Sequence, residues 1–257
     1  MYTQSTLIAF NTIVRKEVNR FTRIWVQTIL PPAISMTLYF VIFGSLIGSR
    51  IGTMNGFSYI DYIAPGIIMM AIINNSYANV VSSFFGAKFQ NHIEEMLVAP
   101  IPNLVILAGF VTGGLVRGFL VGAVVTIVAL FFTDLHIHSL PITIAVVFMT
   151  AIVFSLAGLI NAIFAKKFDD ISIIPTFVLT PLIYLGGVFY SIDMLPEFWQ
   201  TVSSFNPILY MVNAFRYGML GESDINITNA FLILSLFVAV LFSMALYLLN
   251  KGTGIKT

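Results

Sequence analysis

Leu179-Thr-Pro-Leu-Ile-Tyr-Leu-Gly-Gly-Val-Phe-Tyr190 starts as a membrane span and then gives way to two short amphipathic pieces, Leu195-Pro-Glu-Phe-Trp-Gln-Thr-Val202 and Pro207-Ile-Leu-Tyr-Met-Val-Asn-Ala-Phe-Arg216. In the first piece Leu195, Phe198, Trp199 and Val202 recur at helical spacing, and in the second Ile208, Met211, Val212 and Phe215 do the same. A span needs roughly 20 residues. These pieces are too short to cross a bilayer and too apolar to sit wholly in water. Two short helices dipping into one face of the membrane satisfy both limits. Backbone at that depth must be shielded by protein or line a wet cavity, so residues 192–222 read as a re-entrant lid over a conduit.

Composition supports this reading. Of 257 residues, 58% are apolar and only 9% charged, against about 25% charged in a soluble domain. The expectation is an all-α integral membrane protein with one transmembrane domain spanning residues 1–257. A net charge of +1 gives no bulk attraction to nucleic acid. The chain has no cysteine, which excludes thiol chemistry and cysteine metal sites. No secretory signal is visible ahead of Leu30.

Working outward, hydropathy places six spans at about Ile29–Ile47, Tyr62–Phe85, Leu104–Phe132, Pro141–Phe164, Ser172–Tyr190 and Ile227–Asn250. Pro175 and Pro181 break the fifth. Before the first span, residues 5–25 read as an interfacial helix with Leu7, Phe10, Val14, Val18, Phe21 and Trp25 on one face and Arg15, Lys16, Asn19 and Arg23 on the rest. Residues Gly48–Asp61 form a polar, glycine-rich loop. Between the second and third spans, Phe89, Ile93, Met96 and Leu97 share a face of a short helix whose polar complement is Lys88, His92, Glu94 and Glu95; Pro100 and Pro102 stop it. Such a helix is a docking knob for a soluble partner. The third span carries Gly109, Gly113, Gly114, Gly118 and Gly122 at the spacing that lets helices approach closely. Arg117 falls near its middle. With no acid inside a predicted span, Arg117 either faces a wet interior or bonds to backbone carbonyls. In the short loop that carries Asp134, the two histidines His136 and His138 could bind a metal, but no third ligand stands at useful spacing, so no metal site is assigned.

Orientation follows from Lys and Arg near the span ends. Arg15, Lys16, Arg20, Arg23, Lys88, Lys166, Lys167, Lys251 and Lys256 fall on one side, and only Arg50 and Arg216 on the other. Both termini are therefore expected in the cytoplasm and the lid on the outer face. No phosphate-binding loop, zinc-protease motif or nucleophile elbow occurs, so the chain reads as a conduit without its own motor and not as an enzyme. A channel, a secondary carrier, or a scaffold or sensor paired with an ATPase are the competing classes.

The stretch that opens the reading also resembles the permeases of ABC type-2 transporters. Leu179, Leu182, Leu185, Gly186 and Val188 match that family's spaced apolar and small positions; Leu195 and Pro196 follow, and then Pro207, Ile208, Tyr210 and Arg216. Tyr62-Ile-Ala-Pro65-Gly66 and the Gly86–Pro102 loop look like the family's as well. The resemblance implies a dimer of permeases in a bacterial inner membrane, each paired with a separate ATPase subunit that binds ATP and magnesium, so that no cofactor is expected in this chain. It implies that residues 86–102 are the cytoplasmic coupling loop, with Gly86, Lys88, Phe89, His92, Glu94 and Glu95 facing the ATPase and Arg15, Lys16 and Glu17 as a second contact. It further implies a conduit lined from the first, second and fifth spans, for which Tyr39, Phe43, Phe177, Tyr184, Phe189 and Tyr190, with Arg117, are the lining or gating candidates. Pro207, Tyr210 and Arg216 belong to the lid. Besides the ATPase and the second copy, membrane lipid is the expected partner.

Overall fold

The computed structural model describes residues 2–254; Lys256, counted above for orientation, lies outside them. Helix α1 (Tyr2–Arg23) is followed by α2 (Trp25–Thr28) and α3 (Leu30–Tyr39), which opens on Pro31 and Pro32. At the first turn of a helix a missing N–H costs little. The rod continues as a π-helix (Phe40–Ile47) and α4 (Gly48–Ile51). The polar loop then holds a small hairpin, β1 (Thr53–Met54) against β2 (Phe57–Ser58), in antiparallel register. Its turn residues Asn55 and Gly56 both have positive φ, 49° and 84°. Asn-Gly is the pair that tolerates this in a two-residue hairpin.

Helix α5 (Tyr59–Phe89) is the axis of the molecule. Ser58 caps its N-terminus by accepting from the Asp61 N–H, and residues from Tyr62 to Phe85 are buried on nearly every face. After the short α6 (His92–Val98) come α7 (Asn103–Ala129) and α8 (Leu140–Phe164), both packed along α5. The chain ends in α13 (Ile227–Lys251). Among the described residues, five helical runs are long and apolar enough to cross a membrane: Trp25–Ile51, Tyr59–Phe89, Asn103–Ala129, Leu140–Phe164 and Ile227–Lys251.

The expected fifth span is the exception. It consists of three five-residue pieces, α9 (Asp170–Ile174), a π-turn (Pro175–Leu179) and α10 (Thr180–Tyr184). Pro175 and Pro181 each remove a donor from the helical ladder, and the wide π-turn opens at the first of them. The run stops short of Tyr190, and the chain folds back through Gly186–Phe189, which are buried. A 3₁₀ turn (Ile192–Met194), α11 (Glu197–Ser204) and α12 (Pro207–Leu220) follow.

The N-terminal helix corrects one expectation. The stripe it buries is Ile13, Glu17 and Phe21, set against α7, while Leu7 and Trp25 from the expected apolar face are 60% and 55% exposed. The glycines of α7 explain the close approach. A Cβ on Gly109 would lie 2.5 Å from Ile13 Cγ2, and one on Gly113 would lie 2.6 Å from Glu17 Cβ. The matched four-residue steps mean that this part of α1 runs along α7.

Candidate functional site

The lid is built around a buried cation. Asn206 opens α12: its Oδ1 accepts from the Ile208 N–H at 3.0 Å and its Nδ2 donates to the Leu182 carbonyl at 2.6 Å. Pro207 takes the first helical position, and Tyr210 donates its hydroxyl to the Ser204 carbonyl. Ile208, Met211, Val212 and Phe215, read as a membrane-dipping face, are instead buried among α5, α8 and α13. The first lid piece behaves differently: Phe198, Trp199, Val202 and Phe205 on and beside α11 are all exposed.

Arg216, placed in the lid, is fully buried. Its Nε donates to the Tyr62 carbonyl at 3.3 Å, one terminal nitrogen to Asn213 Oδ1 at 3.2 Å and the other to the Gly187 carbonyl at 2.6 Å. Asp224 lies 3.7 Å away and also accepts from the Tyr62 hydroxyl and the Ile192 N–H. One guanidinium thus ties the second span, the turn after the fifth and the lid together. A planar fork with five donors suits this; an ammonium would not.

Four of the conduit candidates meet. Tyr39 stacks on Phe43 and Phe189, Phe43 lies 4.7 Å from Phe189 ring to ring, and Tyr184 also stacks on Phe189. The Tyr39 and Tyr184 hydroxyls are 3.4 Å apart, and Tyr190 donates to the Tyr184 carbonyl at the edge of the group. The cluster joins the first span to the fifth, and each of these spans carries a π-helical stretch beside it. Phe177 stands apart, 74% exposed.

Arg117 also stands apart from this cluster and is corrected. It neither reaches a backbone carbonyl nor opens onto the aromatic group; its terminal nitrogen donates to the side-chain oxygen of Asn75 at 3.1 Å. The acid missing from the predicted spans comes from α1. Glu17 is fully buried, accepts from Ser83 at 2.6 Å and pairs with Arg20 at 3.4 Å, and Arg20 also donates to the Asn79 side chain at 2.8 Å. Glu17 is therefore spent inside the bundle and is not free to meet a partner, whereas Arg15 and Lys16 are exposed.

At the loop after α5, Asn91 in the left-handed conformation (φ 61°) turns the chain into α6. Ile93 anchors α6 in the core, leaving His92, Glu94 and Glu95 exposed. Phe89, 60% exposed, stacks edge-on with Phe168 from the turn before α9. Gly86 is half-buried at the end of α5. Lys88 is corrected from a docking contact to a cap: its ammonium donates to the Ile163 and Ala165 carbonyls at 2.6 and 2.8 Å, where α8 leaves carbonyls unpaired. A cleft of about 480 Å³ lies between Ser5–Ala9 of α1 and Ala99–Ile101 at the end of this loop.

Residues 8–220 match the family model of the ABC-2 type transporter. The chain is 56% identical, over 97% of its length and 98% of the relative's, to the inner membrane transport permease YadH of Escherichia coli strain K12. It is 25% identical to Nodulation protein J of Rhizobium leguminosarum bv. viciae, over 83% of each chain, and 23% identical to that of Neorhizobium galegae, over 83% and 82%. The matched region takes in α6, the aromatic cluster and the Arg216 lid. The chain belongs to the ABC-2 type transporter family and is a transmembrane transport permease.

Proposed function

We propose that this permease is the membrane subunit of an ATP-driven exporter in a bacterial inner membrane, working as a dimer with a separate ATPase. The observation that carries the proposal is α6. It is a charged helix anchored at Ile93, with Glu94 and Glu95 free and the cleft toward α1 beside it. It hangs from α5, which packs against α7, α8 and α12. A push on α6 therefore reaches most of the bundle through one rigid rod.

In this account ATP and magnesium bind in the ATPase, whose closure moves α6. The first and fifth spans then separate across the Tyr39–Phe43–Tyr184–Phe189 stack, opening a path toward the lid. Both termini and α6 face the cytoplasm by the Lys and Arg bias. The short fifth segment completes six spans with the buried turn through Phe189, and α11 and α12 are the re-entrant outer pieces. YadH is named an inner membrane permease, which supports the location.

Reconstitution tests the proposal. The full chain in proteoliposomes should move a fluorescent amphipathic compound only when the ATPase and ATP are both present. Equal flux from the chain alone would make it a channel or carrier; ATPase binding without flux would make it a scaffold or sensor.

A further inference from the structure

The polar junction between α1, α5 and α7 is short of negative charge. Arg20 and Arg117 both enter it, Arg20 bonded to the Asn79 side chain and Arg117 to that of Asn75 one turn earlier on α5. Among the described residues Glu17 is the one carboxylate bonded into it, and its two oxygens are taken by Ser83 and Arg20. Arg117 has only the neutral Asn75 oxygen. The Nε atoms of Arg20 and Arg117 and the Nδ2 of the fully buried Asn79 have no hydrogen-bond partner. All three are donors. A guanidinium in an apolar bundle needs an anion or water, and what the junction lacks is an acceptor carrying charge. Arg20 is 29% exposed and Arg117 half-buried, so the junction reaches the bundle surface. Just beyond Arg20, Ile24 and Val26 are exposed apolar side chains.

We propose that Arg20 and Arg117 form a binding site for the phosphate head of an anionic amphiphile, whose apolar body lies against the exposed side chains of α2 and α3. The planar forks of the two arginines match phosphate oxygens. Arg20 and Asn75 are already bonded to fixed groups, which holds both forks in place before the ligand arrives. A resident phospholipid and an exported lipid-like compound share this chemistry. The site rests on the spans lying in a bilayer and not on coupling to an ATPase.

The test is native mass spectrometry of the full-length protein in detergent with equal phosphatidylglycerol and phosphatidylethanolamine. The wild type should retain the anionic lipid in about tenfold excess. Arg117→Gln and Arg20→Gln should bring the ratio close to one. Arg117→Lys should keep much of the excess, and Arg23→Gln, on the exposed side of α1, all of it. No preference in the wild type overturns the site, as does an unchanged preference in a folded Arg20→Gln or Arg117→Gln protein. Head-labelled phosphatidylglycerol in proteoliposomes with the ATPase separates the sources. Label that stays in its leaflet identifies a resident lipid, and ATP-dependent crossing identifies cargo.

Discussion

The guanidinium carbon of Arg216 lies 4.0 Å from the centre of the Tyr62 ring, while its Nε donates to the carbonyl of the same residue. One lid residue thus grips one residue of the central helix twice, by a charged hydrogen bond and by the ring face, and Asp224 closes the triangle on both.

Arg216→Ala should destabilise the protein severely. It strands Asp224 and the Gly187 carbonyl, and breaking a buried ion pair from one side costs about 3–5 kcal/mol. Arg216→Lys should recover only part of this, because an ammonium cannot reach Tyr62, Gly187 and Asn213 together. Thermal melting in detergent checks it; equal melting of Arg216→Lys and wild type would show that the fork geometry is irrelevant.

Gly113→Leu should detach α1 from α7. Even a Cβ at this position would fall 2.6 Å from Glu17 Cβ, and overpacking a tight contact costs about 1–3 kcal/mol. Limited trypsin digestion should cut sooner at Arg15 and Arg20 in the variant. An unchanged cleavage rate would mean that the two helices do not depend on the contact.

Glu17→Ala should lower the melting temperature and Lys16→Ala should not. The first leaves Ser83 and Arg20 without their acceptor, worth about 1–3 kcal/mol, and the second removes an exposed side chain. If both variants melt alike, the inward placement of Glu17 is wrong.

The aromatic stack should act as a unit. Phe43→Ala and Phe189→Ala, measured singly and together, should show coupling of about 0.5–1.5 kcal/mol in stability, and each should alter flux through the reconstituted transporter. Phe177→Ala, outside the stack, should do neither. Additive effects of Phe43 and Phe189 would separate the two rings.

Much of this architecture is legible in the residues. The five long helical runs begin and end within about four residues of where hydropathy puts them, since apolar runs bounded by Gly, Pro or charge have little else to be. Other features are hidden for identifiable reasons. The α1 stripe that packs on α7 includes Glu17, and an acid in the buried face breaks the periodicity by which such faces are found. Arg216 counts as an outer charge in a tally of Lys and Arg because a tally cannot see that Gly187, Asn213 and Asp224 converge on it. Lys88 reads as one more charge beside His92, Glu94 and Glu95, but it lies on α5 and the carbonyls it caps are at the end of α8, far away in sequence. Asn55-Gly56 is a hairpin signal inside the glycine-rich loop, but strands of two residues on either side give it no alternating pattern to frame it. The pairing of Phe43 with Phe189 needs the third dimension, although both rings stand out in the sequence.

The most direct test of the account is co-purification of the full-length chain in mild detergent from cells that express its ATPase, followed by an ATPase assay with and without Glu94→Ala and Glu95→Ala. The account predicts a roughly equimolar ATPase bound to the wild type, with activity stimulated by the permease. Stimulation should be lost in the double variant while the spans still melt normally, because both side chains are exposed on α6. A clean homo-oligomer without ATPase, or full stimulation in the double variant, would contradict it.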